Sequence, residues 1–178
     1  MSKKSVLGLV ASILVAGTVA FAATSEVARV GAPAGGADAP APIVFVCRNG
    51  VAMSVWSAAY FNELAAERGL PQRAVARAAV PSYTEVPLRM KLALALDGFR
   101  VGDFRPSVID GDDARGAARV IAIDTELPLE TGVDASRVEL WNGFPPMREE
   151  YFPSRRALES RVEALVERLA AGEGAQRP

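Results

Sequence analysis

The transition from strand to helix around the chain's single cysteine most constrains this fold. Residues 43–46 are continuously apolar, as expected for a buried parallel strand, and they end at Cys47. A short loop containing Gly50 follows, and Ser54 then begins a long amphipathic segment. A strand, a tight loop and a helix N-terminus in this order bring backbone N–H groups around the thiol. The sequence therefore predicts an oxyanion cradle beside a cysteine whose thiolate form is stabilised.

The remainder of the chain alternates between strand-like and helix-like segments. Apolar stretches predict four strands, at residues 43–46, 73–80, 119–123 and 138–140. Apolar residues at helical spacing predict three helices, at residues 54–68, at residues 86–96 and from residue 150 onward. This alternation predicts an α/β protein with a parallel sheet and helices on both faces. Ligands of such sheets bind at the carboxyl ends of strands, which is where Cys47 lies.

The N-terminus has the three parts of a secretory signal peptide. Lys3 and Lys4 precede an apolar stretch over residues 6–20, and Ala20-Phe21-Ala22 provides a small-x-small cleavage site. We therefore predict a signal peptide at 1–22, export to a periplasm or the exterior, and no stable membrane span after cleavage; an uncleaved anchor is the alternative. The remaining predicted parts are a flexible linker at 23–42, a folded domain at 43–171 and a disordered tail at 172–178.

Charge and composition exclude several classes of protein. Loss of Lys3 and Lys4 with the signal peptide reduces the 20 basic residues to 18 against 21 acidic ones, a net charge of −3. No basic excess remains for phosphate backbones, so nucleic acid is not an expected partner. Histidine is absent, which removes Cys/His dyads and the usual zinc sites. We expect no metal and no organic cofactor, and a single cysteine cannot form an internal disulfide.

The segment around Cys47 resembles the low-molecular-weight protein tyrosine phosphatases and their arsenate reductase relatives. Their signature is an apolar strand, a Cys, five residues, an Arg, a Ser and a helix with an Ala-rich, aromatic-Asn run. Cys47 falls on the nucleophile, Ser54 on the Ser, and Ser57-Ala58-Ala59-Tyr60-Phe61-Asn62 on the helix run. The resemblance extends over nearly all of 43–171. It implies a flavodoxin-like three-layer sandwich with a four-stranded parallel sheet.

The same resemblance implies a function and a set of site residues. The function is Cys-dependent hydrolysis of a phosphomonoester, or related oxyanion chemistry, with phosphate or a phosphorylated substrate as the partner. Cys47 and Ser54 would be catalytic, with Ser54 as the partner of the thiolate. The anion would be bound by the loop residues Arg48, Asn49, Gly50, Val51, Ala52 and Met53.

Two positions depart from the family pattern. The arginine that clamps the phosphate is replaced by Met53, which cannot form paired N–H bonds to an oxyanion. The acid of the family's Asp-Pro pair is replaced by Phe144, which cannot protonate a leaving group. A general acid contributes about 10²–10⁴-fold and one electrostatic stabiliser about 10²–10³-fold, so we expect reduced activity. Arg48 is a candidate substitute for the clamp.

Further departures leave other functions open. Asn49 lies two residues after the cysteine, whereas the family's Asn usually lies three after it. Glu149 or Glu150 could substitute for the acid. Arsenate reduction would need an external thiol, because the chain has no second cysteine. The alternatives to an enzyme are an inactive module that binds an oxyanion or a protein, and a redox protein in which Cys47 forms mixed disulfides.

Overall fold

A computed structural model describes residues 39–172 of the protein. The predicted signal peptide at 1–22, residues 23–38 of the predicted linker and residues 173–178 of the predicted tail lie outside the described residues. Within the described range, no helix has the length and apolar character needed to cross a membrane.

The centre of the molecule is a sheet of four parallel strands in the order β2-β1-β3-β4. The strands are β1 (Ile43–Cys47), β2 (Ala74–Ala78), β3 (Arg119–Ile123) and β4 (Val138–Trp141). Cys47 is in register with Ala78 on one side and Ile123 on the other, so it lies at the carboxyl end of an inner strand. The predicted four-stranded parallel sheet is confirmed. β2 ends at Ala78 and is shorter than predicted, because beyond it the Val80 N–H donates to the carbonyl oxygen of Arg48, which belongs to the loop and not to β1.

The helices are α1 (Met53–Glu67), α2 (Leu88–Leu96), α3 (Gly111–Gly116) and α4 (Tyr151–Ala170). α2 begins at Leu88 rather than at residue 86, because Pro87 has an extended conformation at the N-cap, with φ −56° and ψ 142°. α3 was not predicted, since its six residues are too few to show apolar periodicity. Its start is instead defined by a capping box between Asp110 and Asp113.

The two faces of the sheet are covered unequally. The larger core lies on one face, where α1, α2 and α4 contribute residues; Phe45 packs there against Phe61 and Trp141 at centroid distances of 6.1 and 5.7 Å. The smaller core lies on the other face, under α3 and the adjacent loops. There Arg77 of β2 forms a two-pronged ion pair with Asp113 of α3, at 2.7 and 2.8 Å. Helices therefore flank the sheet on both sides, as in the predicted three-layer sandwich.

One buried carboxylate connects the three helices of the larger face. Asp97, at the C-terminal end of α2, accepts hydrogen bonds from Trp56 Nε1 at 2.8 Å and from the Tyr151 hydroxyl at 2.7 Å. Arg155 of α4 lies 3.3 Å from the same carboxylate. Burial and the hydrogen bond to Asp97 raise the pKa of Tyr151, so this hydroxyl stays protonated and keeps donating. The C-terminal end of α2 is thereby held to the first turns of α1 and α4.

Candidate active site

Cys47 and Ser54 meet at the carboxyl end of β1. Cys47 is buried, and its Sγ lies 3.2 Å from the hydroxyl oxygen of Ser54, the second residue of α1. Ser54 has no exposed surface, so this hydroxyl is directed by packing rather than by solvent. The contact has the geometry by which a hydroxyl donates to a thiolate. The structure therefore brings together the two residues that the sequence singled out as catalytic.

Gly50 fits the loop tightly against the end of β2. Its φ is +64°, and a Cβ at this position would lie 2.8 Å from the Cβ of Ala78 and 2.9 Å from its backbone nitrogen. Any side chain would clash with a strand that cannot shift independently. Ser82 supports the same loop by donating its hydroxyl hydrogen to Asn49 Oδ1 at 2.9 Å. Asn49 thus braces the loop with its side chain.

The loop offers backbone donors that no protein group uses. Within the described chain, none of the N–H groups from Arg48 to Ser54 donates a hydrogen bond to another residue. α1 starts at Met53 with Ala52 as its N-cap, without a side-chain cap and without an acidic residue in its first turn. An uncapped helix start and unused loop donors are the features that bind anions in proteins. This part of the site can hold an oxyanion through backbone groups alone.

A pocket of about 540 Å³ lies next to this loop. Three exposed arginines reach it from different parts of the chain: Arg48 from the loop, Arg89 from α2 and Arg148 from the segment before α4. Arg89 Nη2 also donates to the carbonyl oxygen of Arg148, which joins two walls of the pocket. The rest of the lining is mainly apolar and comprises Cys47, Asn49, Val51, Ala52, Met53, Tyr83, Pro87, Met90, Ile123, Asp124, Pro146 and Met147. A negatively charged group with an apolar substituent suits such walls.

Met53 occupies the position at which the family's arginine is expected. It lines the pocket, is partly buried and packs against the larger core. A thioether provides no N–H donor, so this position makes no charged contribution to anion binding. The positive groups at the pocket are instead Arg48, as proposed from the sequence, and Arg89 and Arg148, which sequence reasoning missed.

The predicted acid position lies away from the pocket. Phe144 is partly buried against the larger core and does not line the pocket. Its N–H and that of Gly143 donate to the carboxylate of Asp124, at 3.0 and 2.7 Å. Neither Glu149 nor Glu150 lines the pocket; both are exposed around the start of α4. Asp124 is therefore the one carboxylate on the pocket wall formed by the described residues.

Asp124 was missed by the sequence reasoning, although a signal was present. It directly follows β3, whose last residue pairs with Cys47, and parallel strands end at the same edge of a sheet. Its φ of +44° is unusual for a residue other than glycine. The hydrogen bonds from Gly143 and Phe144 hold it in this conformation and give it a bracing role at the pocket edge.

No protein-family model matches the sequence, and no curated protein matches it significantly. Solved structures do match. A low-molecular-weight protein tyrosine phosphatase from Bacillus subtilis superposes with a TM-score of 0.62 at 18% identity, over 72% of this chain and 96% of that one. This is the low-molecular-weight phosphatase fold.

Arsenate reductases share the same fold. A thioredoxin-dependent arsenate reductase from Corynebacterium glutamicum matches with a TM-score of 0.59 at 16% identity. The match covers 77% of this chain but only 65% of the length of that reductase. An arsenate reductase in its phosphate binding state matches with a TM-score of 0.58 at 19% identity, over 71% of this chain and 97% of that one. The sequence resemblance to both kinds of protein is thus confirmed at the level of the fold.

Among residues 39–172, no three side chains of Cys, Asp or Glu come together in a cluster that could hold a metal ion. The chemistry that the site offers comes from one thiol, one hydroxyl, the backbone donors of the loop and the three arginines at the pocket.

Proposed function

We propose that the protein is an exported phosphatase of low activity, in which Cys47 is the nucleophile and the loop from Arg48 to Met53 binds the phosphoryl group. The observation that supports this most is the Cys47–Ser54 contact of 3.2 Å beside a loop whose N–H groups are unused within the described chain. Export rests on the predicted signal peptide and is tested by N-terminal sequencing of the protein recovered from outside the cytoplasm.

The proposed reaction has two displacements at phosphorus. The Cys47 thiolate attacks the phosphorus, an S–P bond forms, and the bond to the leaving-group oxygen breaks with its electron pair going to that oxygen. Water then attacks the phosphocysteine, releases inorganic phosphate and restores the thiolate. Ser54 donates to the sulfur, and the loop N–H groups bind the equatorial oxygens of the transition state. Arg48, Arg89 and Arg148 balance the charge of the dianion.

The weak point of this reaction is the leaving group. Phe144 carries no proton, and the carboxylate of Asp124 already accepts two backbone N–H groups. The departing oxygen therefore takes its proton from water, which limits the reaction to esters of acidic alcohols such as phenols. We expect slow turnover of aryl phosphates and negligible turnover of alkyl phosphates.

Hydrolysis of p-nitrophenyl phosphate by the purified protein tests this proposal. The wild type is compared with Cys47→Ser, which retains the shape of the site, and with Met53→Arg, which restores the guanidinium at the family position. We expect turnover in the wild type, loss to background in Cys47→Ser and a gain in Met53→Arg, because one stabiliser of transition-state charge contributes about 10²–10³-fold. Equal turnover in wild type and Cys47→Ser would disprove the nucleophile.

A second function, binding of an oxyanion without catalysis, is favoured by Met53 and by the position of Phe144. Both are apolar, and both pack against the core where the family has charged groups. A protein of this kind would bind an oxyanion without turning it over. Calorimetric titration with inorganic phosphate and with vanadate, combined with the hydrolysis assay, distinguishes the phosphatase from the binding module. Binding without measurable hydrolysis, in both wild type and Met53→Arg, supports the binding module.

A further inference from the structure

Helix α2 is apolar on both of its faces. Met90 and Leu94 pack into the larger core, and both are buried. On the outward face, Leu88, Leu92 and Leu96 are 71%, 60% and 80% exposed. A helix that is apolar all round is normally covered all round. Among residues 39–172, nothing covers the outward face of α2.

The exposed leucines form one continuous stripe. Residues four apart on a helix stand above one another, and each residue turns the helix by about 100°. Leu88, Leu92 and Leu96, together with the exposed Ala95, therefore lie within an arc of about 100° and extend over about 12 Å. These four residues are called the leucine face below.

Cations border the leucine face on both sides. By the same helical spacing, Arg89 lies on one side of the stripe and Lys91 on the other, and α2 contains no acidic residue. Lys91 pairs with Glu85 at 2.9 Å, whereas the Asp97 carboxylate after the helix is buried and pairs with Arg155. The surface around the leucine face is thus positive, in a chain whose formal net charge is −1.

This combination favours the surface of an anionic membrane over a second copy of the chain. Leucines flanked by Arg or Lys are typical of helices that lie in the plane of a bilayer surface, with the apolar face in the acyl boundary and the cations at lipid phosphates. Two-fold packing of α2 on itself would instead place like-charged side chains of the two copies on the same side of the contact. The leucine face is also well below the ~800 Å² per partner that a standard protein interface buries.

Two further observations fit a membrane. The sequence predicts a signal peptide, which delivers the chain to a membrane for export. The leucine face also begins at the edge of the pocket, because Leu88 lies between Pro87 and Arg89, which both line it. A membrane-bound α2 therefore holds the pocket near the lipid headgroups.

We propose that the leucine face of α2 docks on the surface of an anionic lipid bilayer, with its leucines in the acyl boundary and with Arg89 and Lys91 at the lipid phosphates. The contact is peripheral and weakens as salt is added, because the two cations contribute to it. It requires neither retention of the predicted signal peptide nor catalysis by Cys47.

The single cysteine of the chain allows a clean test. In a Cys47→Ser background, Leu92→Cys is labelled with an environment-sensitive fluorophore, and labelled Leu129→Cys is the matched control. Leu129 is 97% exposed and lies on the opposite face of the sheet, where Leu127 and Val133 pack against the smaller core. Each labelled protein is mixed with vesicles of equal parts phosphatidylcholine and phosphatidylglycerol, and separately with vesicles of phosphatidylcholine alone.

We expect the label at Leu92→Cys to shift to the blue and brighten with the anionic vesicles only, and the label at Leu129→Cys to stay unchanged. Added to the labelled Leu92→Cys protein, Arg89→Gln and Lys91→Gln should each weaken vesicle binding about fivefold at low salt. Arg115→Gln, an exposed arginine of α3, is the charge control and should have no effect.

No shift at Leu92→Cys, or equal shifts at both labelled positions, would overturn the proposal even when another segment brings the protein to the vesicles. Light scattering of the wild type tests the other occupant. A dimer that Leu92→Gln dissociates would assign the leucine face to a second copy and would also overturn membrane docking. Hydrolysis of p-nitrophenyl phosphate by the wild type without vesicles reports on the phosphatase proposal alone.

Discussion

Two loops meet at the pocket, and they differ in what supports their function. The loop between β1 and α1 contributes Cys47, the tightly packed Gly50 and N–H groups unused within the described chain. The segment between β4 and α4 directs Pro146, Met147 and Arg148 at the pocket, while Phe144 packs into the core. The first loop has the parts that bind an anion, and the second has no carboxylate at the pocket.

The difference shows which functional parts depend on single side chains. An anion cradle made of backbone N–H groups tolerates changes at most of its positions, provided that the loop conformation is maintained. A proton donor is one carboxyl group, and one substitution removes it. Binding and catalysis can therefore be separated on this fold, and four experiments probe the contrast between the two loops.

The dependence of rate on the leaving group addresses the second loop and should give the largest effect. Because no carboxyl group on the pocket wall is available to protonate the leaving oxygen, we expect kcat to fall by about 10²–10⁴-fold from p-nitrophenyl phosphate to an alkyl phosphate. Steady-state kinetics on a series of phosphate esters with graded leaving-group acidity measures this slope. Similar rates across the series would reveal a hidden acid, which Glu149→Gln, Glu150→Gln and Asp124→Asn would then locate.

Substitution of Gly50 addresses the first loop. In Gly50→Ala, the new Cβ meets Ala78 at 2.8 Å in a backbone conformation with φ +64°. We expect a loss of about 2–4 kcal/mol in unfolding free energy and loss of phosphate binding, since both strain and overpacking contribute. Gly69→Ala is the matched control, because Gly69 has φ +67° but no neighbouring atom within 4 Å of the point where a Cβ would lie.

Urea denaturation of both glycine variants measures this difference. The control, Gly69→Ala, should lose only about 1–2 kcal/mol of unfolding free energy, because it carries the strain of a left-handed residue alone. If both variants lost the same amount, the contact with Ala78 would have no energetic role, and the close fit between the loop and β2 would not maintain the cradle.

Asp124 connects the two loops and should have an intermediate effect. Asp124→Ala removes both acceptors for the N–H groups of Gly143 and Phe144 and places alanine at φ +44°. We expect Asp124→Ala to lower the unfolding free energy by about 1–3 kcal/mol. Asp124→Asn should cost less, because asparagine tolerates this conformation and keeps one acceptor oxygen. Chemical denaturation gives the ranking, and equal losses for Ala and Asn would contradict it.

Arg89 should show the smallest effect. It is exposed at the pocket, and a solvent-exposed charge contributes little to anion binding once salt screens it. We expect Arg89→Ala to weaken vanadate binding about threefold at low ionic strength, with the difference fading as salt is added. Arg156→Ala, at an exposed position of α4 away from the pocket, is the control and should not change the affinity. An effect of Arg89→Ala that resists salt would show a direct, desolvated contact.

Much of the fold was predictable from local patterns. Apolar runs and helical spacing indicated the four strands and the helices α1, α2 and α4, because each element has to bury one face or stripe. The six-residue α3 was not predicted, because its start is defined by side-chain capping at Asp110 rather than by periodicity. The end of β2 was also misplaced, because the backbone of Ala79 and Val80 bonds to the Cys47 loop.

The sequence by itself determined which cysteine and which serine meet at the candidate site. Cys47, Gly50 and Ser54 are close along the chain, and a strand followed by a tight loop and a helix allows few other arrangements. Their placement at the carboxyl end of a parallel sheet follows from the same local order.

Only the tertiary structure decided the opposite wall of the pocket. Arg89, Asp124, Met147 and Arg148 approach Cys47 from elements far away in sequence, and Phe144 turns into the core instead. Such convergence depends on how helices pack on the sheet and on where each loop crosses its edge. Local periodicity reports which face of an element is buried, but it does not report which distant side chains that face will meet.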